Sequence, residues 1–256
     1  VTVEGCMFDF SGTLMRIEPV TDWLRAVLTD VGIAATDAEI EEYAARLDRC
    51  GAQPGGSDPT ALPSRLSRLW QERDLSASAH RATYTALARE ANLPWGRAVY
   101  DALYTRHMTP DAWRPYPDTS EVLDELHGRG IPVAVVSNIG WDLRPVLKAH
   151  GIAEPVKEFV LSYEHGLRKP DPELFRIACD ALGLAPEVVL MVGDDRHADT
   201  GALALGCPVH LVDHLPVHAR PASLRPVLDL VRQGDTDHQH RRPRSGPGEA
   251  GAGSYR

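Results

Sequence analysis

Residues 187–195 read EVVLMVGDD, an apolar run that stops at a glycine and two aspartates. A stretch with no polar face suits a strand covered by protein on both sides, and the Gly-Asp-Asp then falls in the loop that leaves it. The same shape recurs outward along the chain. Residues 131–136 (IPVAVV) run into Ser137-Asn138, and residues 3–9 (VEGCMFD) turn polar at Asp9 and continue as FSGTL. Two further runs, 156–161 (VKEFVL) and 208–212 (PVHLV), complete the set. Between them lie segments of helical texture at 118–128, 140–150, 171–183, 199–206 and 221–232, with Pro172 in a first turn and Gly151 past a helix end. Buried strands alternating with helices predict an α/β fold, a doubly wound, Rossmann-like parallel sheet. Such sheets bind ligands in the crevice beyond the carboxyl ends of their strands.

Residues 16–115 break this alternation. Helix candidates occur at 21–32, 36–49, 62–72, 76–91 and 95–107, with Thr36 and Glu39 spaced as a capping box. The stretch 51–63, GAQPGGSDPTALP, reads as a loop, and no strand pattern is visible. The expectation is an all-helical insertion, 16–115, within a core made of 1–15 and 116–232, hinged near 14–18 and 112–118. The polar, Gly/Pro/Arg-rich segment 233–256 is expected to be a disordered tail.

The chain has 256 residues, 43% hydrophobic and 25% charged, which excludes collagen-like, coiled-coil and wholly disordered classes. A net charge of −9 argues against nucleic-acid binding, which needs a basic surplus to neutralise phosphates. No apolar run approaches the roughly 20 residues that span a bilayer, so no membrane association is expected. The opening VTVEGCMFDF lacks the basic and apolar regions of a secretory signal. Cys6, Cys50, Cys179 and Cys207 form no Cys-x-x-Cys pair and are expected to be ordinary thiols in a reducing, cytoplasmic setting.

Polar clusters follow the strand ends: Asp9 with Ser11 and Thr13, Ser137-Asn138, Lys169, and Asp194-Asp195 with Asp199. If the strands are neighbours, these clusters converge. A carboxylate can act as nucleophile and divide one hard step into two. Donors and a cation suit phosphoryl oxygens. Grouped carboxylates call for a hard cation such as Mg²⁺. Taken singly, each cluster has a plain structural reading: Asp199, for instance, is a good N-cap for 200–206. Arg16, Arg168 and Arg196 flank the clusters and read as solvated; the five tryptophans read mostly as packing residues.

With these residues in place, the sequence resembles the haloacid dehalogenase superfamily of hydrolases, in the subfamily with a helical cap between its first and second motifs. FDFSGTL, VVSN, LRKPDPELF and VGDDRHADTGA stand in the order of its four motifs. The resemblance implies that Asp9 is the nucleophile that becomes aspartyl-phosphate. It implies that Asp9, Asp194 and the backbone carbonyl of Ser11 ligate Mg²⁺, with Asp195 and Asp199 as further metal partners. Ser137 and Lys169 bind the phosphoryl group of a small phosphorylated substrate, and Thr13 and Asn138 orient the site, with Asn138 also beside the phosphate. The sequence departs from the pattern at Ser11, where phosphatases of the superfamily carry the aspartate that protonates the leaving oxygen and activates water. Two alternatives stand beside the phosphatase reading: a metal-independent dehalogenase, and a phosphate-binding protein with weak turnover. Cleavage of phosphonates through a cap lysine is excluded, because Lys148, Lys157 and Lys169 all lie beyond the cap. Oligomeric state is not encoded in any pattern read here.

Overall fold

The structure is a computed structural model that describes residues 2–231. In chain order it contains β1 (Gly5–Phe8), β2 (Met15–Ile17), α1 (Val20–Asp30), α2 (Asp37–Arg49), α3 (Ser67–Glu72), α4 (Ala77–Glu90), α5 (Arg97–Arg106) and β3 (Trp113–Pro115). The second half contains α6 (Thr119–Gly128), β4 (Val133–Ser137), α7 (Arg144–Ala149), β5 (Val156–Leu161), α8 (Ser162–His165), α9 (Pro172–Leu182), β6 (Val189–Gly193), β7 (Val209–Leu211) and α10 (Val227–Leu230). The expected tail, 233–256, lies outside the described residues.

Five strands form one parallel sheet in the order β5-β4-β1-β6-β7. The chain leaves the central β1, builds outward through β4 and β5, then returns to β1's other edge with β6. This reversal opens a crevice beside β1, and Asp9, Ser137 and Asp194 stand at the ends of the three strands that meet there. Side chains alternate across the sheet. Cys6, Phe8, Val133, Val135, Leu190 and Val192 pack on one face with α6 and α7. Met7, Ala134, Val136, Val189 and Met191 pack on the other with α9. All four cysteines are free thiols, three of them buried. Among the described residues, no helix is long and apolar enough to cross a membrane.

The helices α1–α5 make their own apolar cluster, with Trp23, Leu24, Val27, Leu47, Leu87 and Leu103 at its centre. The capping box at the start of α2 forms as expected. The chain enters and leaves this unit through β2 and β3, an antiparallel pair in which Arg16 faces Arg114. This ribbon was not anticipated: three-residue strands carry too little alternation to register. Above it, Arg106 donates to both carboxylate oxygens of Glu18, at 2.8 and 2.9 Å, joining the end of α5 to the segment after β2.

Two helices are shorter than expected for one reason. Proline fits only the first turn of a helix, so Pro145 places the start of α7 at Arg144 and Pro226 confines α10 to Val227–Leu230. The expected helix at 199–206 is a 3-10 helix over Asp199–Leu205.

The helical unit rests on the sheet domain at the start of α8 and at the loop after β4. Ser162 Oγ donates to the Asp74 carbonyl at 2.6 Å. A Cβ on Gly140 would lie 2.2 Å from the Cβ of His80 on α4. A Cβ–Cβ clash cannot be relieved by rotating the far end of a side chain, so Gly140→Ala is expected to push α4 off this loop. The expected cost is about 1–3 kcal/mol, read as a lowered midpoint of thermal unfolding.

Candidate active site

Asp9 is the first residue beyond β1, and its amide donates to the Val192 carbonyl of β6 at 2.9 Å. The backbone bond fixes the carboxylate at the mouth of the crevice. Lys169 Nζ lies 2.6 Å from Asp9 Oδ1 and 2.6 Å from Asp199 Oδ1. The lysine side chain is only 3% exposed, so this ammonium depends on its two carboxylates for nearly all its solvation. Asn138 grips the lysine's own backbone: its Oδ1 accepts from Lys169 N at 2.7 Å, and its Nδ2 donates to Lys169 O at 3.0 Å. Both ends of the Asn138 amide are thereby engaged in positioning Lys169, in line with the orienting role expected of it, and the residue also lines the crevice.

Asp199 takes a place different from the expected one. It is fully buried, with Oδ1 on Lys169 and Oδ2 accepting from the Asp195 amide at 2.9 Å. Asp199 is closed off from the crevice that Asp194 lines, which makes it the partner of Lys169 and not a group opening toward a metal. Asp195 is exposed, and its Oδ1 accepts from the amides of His197 and Ala198, holding the turn after β6. Asp194 Oδ1 accepts from Thr13 Oγ at 2.9 Å, and its Oδ2 pairs with His214 Nδ1. Ser137 is buried at the end of β4 and lines the crevice. Ser11 Oγ faces the Gly55 carbonyl at 3.5 Å.

The electrostatics follow from burial. Burial pushes the Asp9 carboxyl up, to about 8, with Asp199 and Asp194 adding to the rise and Lys169 opposing it. Burial works to lower the Lys169 ammonium, but Asp199 and Asp9 outweigh it and hold the group above its ordinary value. Burial likewise opposes ionisation of Asp194, yet His214 and Thr13 keep it below the usual carboxylate range.

The crevice is one cavity of about 580 Å³ that reaches from Asp9, Ser137, Lys169 and Asp194 up to Arg73, His80 and Tyr84 on the helical unit. Several residues in and beneath it had no signal in the sequence. Arg16, expected to be solvated, is half-buried in its wall and donates to the Gly55 carbonyl at 2.9 Å. His214 lies in the loop after β7, where a lone histidine carries no motif. Arg220 is buried beneath the first motif and donates to the carbonyls of Gly12 and Thr13 at 2.8 and 2.7 Å. His80 meets the hydroxyl of Tyr104 through Nδ1 at 2.9 Å, and burial drives its pKa down to about 3, so it is a neutral imidazole.

Removing the Lys169 charge leaves Asp199 buried without its counter-ion and takes from Asp9 the charge that opposes the rise in its pKa. Lys169→Met is therefore expected to destabilise the protein by about 3–5 kcal/mol, seen in urea unfolding. Adding Asp199→Asn should recover part of that loss; no recovery would mean that the pairing is not the source of the effect.

Comparison with known proteins bears on this arrangement. Residues 3–205 match the family described as haloacid dehalogenase-like hydrolase. The chain is 30% identical to a phosphoserine phosphatase from Thermus thermophilus, over 81% of this chain and 87% of that one. It is also 30% identical to (S)-2-haloacid dehalogenase 4A from Burkholderia cepacia, over 65% of this chain and 78% of that one. The crystal structure of a phosphatase of the same superfamily from Thermococcus onnurineus shares the fold, with a TM-score of 0.56 at 22% identity, covering 90% of this chain and all (100%) of that one. With its motifs at the ends of adjacent parallel strands and the family match spanning most of its length, the chain belongs to the haloacid dehalogenase-like hydrolases.

Proposed function

We propose that this hydrolase is a Mg²⁺-dependent phosphatase acting on a small phosphorylated metabolite through a phosphorylated Asp9. The observation that carries the reading is the placement of Lys169 Nζ 2.6 Å from Asp9 at the end of the central strand. A nucleophilic carboxylate beside a buried ammonium suits attack on an anion, because the cation offsets the repulsion between the attacking and receiving charges. The phosphatase relative supports it.

The donor set fits a magnesium ion. Gly12 has φ +89°, and a Cβ there would lie 2.4 Å from Asp194 Oδ2. Glycine lets the Asp194 carboxylate close on the loop that carries Asp9 and the Ser11 carbonyl. No group of three or more His, Cys, Asp or Glu stands ready to enclose a metal among the described residues. Two carboxylates and a carbonyl are nevertheless what Mg²⁺ uses, since it keeps several of its waters. Asp9, Asp194 and the Ser11 carbonyl would hold it, and when bound it would neutralise phosphoryl charge.

In the reaction, an Asp9 oxygen attacks phosphorus, and the bond to the leaving oxygen breaks with its electron pair going to that oxygen. Lys169 and Ser137 bind the phosphoryl oxygens. Thr13 orients Asp194, while Asn138 and Asp199 orient Lys169. Water then cleaves the aspartyl-phosphate and restores Asp9. Residues 16–115 act as a cap that excludes water and selects substrate. The free thiols and the acidic balance fit a cytoplasmic enzyme without a nucleic-acid partner.

A second reading, a metal-independent dehalogenase, is favoured by Ser11 and by the dehalogenase relative. Halide release from a 2-haloacid in excess chelator would establish it in place of the phosphatase.

Magnesium dependence has a definite pH signature. With Asp9 raised from 3.8 to about 8, the metal-free protein binds a proton there at neutral pH. A raised carboxyl stabilises the fold fully below its unfolded value and loses that contribution as the pH climbs through about 8. Mg²⁺ binding at pH 7 should therefore release a proton, and its apparent affinity should rise up to about pH 8. Titration calorimetry in buffers of different ionisation enthalpy checks this; a pH-independent affinity, or full hydrolysis in chelator, would sink it.

Ser11 predicts the kinetics. General acid–base help is worth roughly 10²–10⁴-fold, and a serine hydroxyl supplies neither acid nor base near neutral pH. Slow turnover and a trappable phospho-enzyme are expected, the latter absent in Asp9→Asn. Alkyl phosphates should be hydrolysed much more slowly than aryl phosphates, and Ser11→Asp should narrow that gap. Equal rates for both, with nothing trapped, would show that another group moves the proton.

A further inference from the structure

In-line displacement sends the leaving group to the far side of phosphorus from Asp9, away from the sheet and toward the cap. Three arginines line the cavity there: Arg16, Arg73 and Arg196. Arg73 is committed, stacked 3.8 Å over the Trp70 ring, donating to the Trp70 carbonyl at 2.7 Å, and 3.4 Å from Asp74. Arg196 is exposed at the rim. Arg16 differs from both. It is half-buried, its recorded hydrogen bond goes to a neutral carbonyl, and among the described residues no carboxylate lies within 4.0 Å of it. Burial lowers its pKa, with Tyr116, Asp194 and Asp48 opposing from beyond pairing distance. Its acceptor, the Gly55 carbonyl, is also the group that Ser11 Oγ faces. The loop can come down this far because residue 55 is glycine, with φ +77° and a Cβ position 2.9 Å from Ser11 Oγ. Arg16 therefore stands beside the residue that replaces the family's acid.

We propose that Arg16 receives the leaving group, and that the substrate is an acyl phosphate whose departing carboxylate is held by the Arg16 guanidinium. The proposal rests on the phosphatase reading above. Arginine cannot supply a proton, so it can assist only a group that is stable as an anion. A carboxylate is such a group, since its pKa of about 4 leaves it unprotonated at neutral pH, and it matches the planar fork of a guanidinium. In the balanced step, an Asp9 oxygen bonds to phosphorus and the phosphorus–oxygen bond of the mixed anhydride breaks. The electron pair leaves with the carboxylate onto Arg16. Water then releases phosphate from Asp9 and its surplus proton passes to solvent or phosphate. No acid is required for expulsion, which is consistent with serine at position 11.

The test uses the full chain with Mg²⁺ and three probes: acetyl phosphate, 4-nitrophenyl phosphate and glycerol 2-phosphate. The unmodified protein should favour acetyl phosphate. Arg16→Gln should lower kcat/KM for acetyl phosphate about 10²-fold, the usual scale for losing one charge-stabilising donor, and lower it far less for 4-nitrophenyl phosphate. Decay of the preformed phospho-enzyme should not change. Arg16→Lys should restore part of the loss, and inhibition by acetate should be present in the unmodified protein and absent in Arg16→Gln. An equal loss on all three probes would mean that Arg16 only tethers the Gly55 loop, and would overturn the proposal while leaving the phosphatase reading standing. Glycerol 2-phosphate turned over as fast as acetyl phosphate would do the same. No hydrolysis of any probe and no phospho-enzyme would remove both.

Discussion

One buried ammonium organises this molecule. Lys169 sits between Asp9 and Asp199, with 2.6 Å to each, in a place almost closed to solvent. Without it, carboxylates carried by separate strand ends would face one another across the crevice, and like charges so close resist joint ionisation. Removing one member of a buried set leaves its partner's desolvation uncompensated, which is why so much of the surroundings serves to keep the lysine in place. Asn138 holds its backbone from β4, on the opposite side of β1 from β6. Asp199 is fixed by the Asp195 amide and approaches only because Gly193 has no side chain, a Cβ there falling 2.1 Å from Asp199 Oδ2. Four segments distant in sequence thus agree on the position of one nitrogen.

The cap is tied to this centre by polar and aromatic contacts at a few points. Phe10, next to the nucleophile, packs against Trp113 at 4.5 Å and Trp141 at 6.2 Å between ring centroids, so the first motif, the exit strand of the cap and the loop after β4 share one aromatic cluster. The bidentate Arg106–Glu18 pair and the short β2–β3 ribbon fix where the cap begins and ends. These features link the helical unit's own apolar cluster to the crevice, and Met108 packs against both it and the cluster of the sheet domain.

What could be read in the sequence follows from what each residue must satisfy. The core strands were legible because β4 and β6 are buried on both faces, which forces continuous apolar runs. Asp9 and Asp194 were legible because a charged residue directly after such a run has no packing purpose; Lys169 lies beyond β5 and α8 and was legible only through the motif around it. The role of Asp199 was not: it was expected as a metal partner and turns inward to the lysine, since hydrogen-bond direction is a three-dimensional property. Arg16 and Arg196 show the limit most clearly. They are the same residue type flanking neighbouring motifs, yet one is drawn into the wall by a carbonyl 39 positions away and the other stays in solvent. Only the fold of the cap loop onto the first motif distinguishes them.

That same contact bears on the meaning of Ser11. Its hydroxyl and the Arg16 guanidinium converge on the Gly55 carbonyl, in space left by a glycine that no larger residue could occupy without meeting Ser11 or the Trp113 ring. An aspartate at position 11 would carry a carboxylate toward a carbonyl oxygen, which repels it, and toward Arg16, which attracts it. The ion pair so formed would lower the carboxyl pKa and take up the arginine's charge, so an acid at this position works at the cost of the cation's hold on a leaving group. A proton donor and an uncommitted guanidinium therefore compete for the same few ångströms. Serine resolves the competition in favour of the cation. On the phosphatase reading proposed above, the first motif, with its acid gone and its backbone carbonyl intact, would suit leaving groups that depart as anions, and departure from the family pattern would become selection among substrates with Asp9 unchanged.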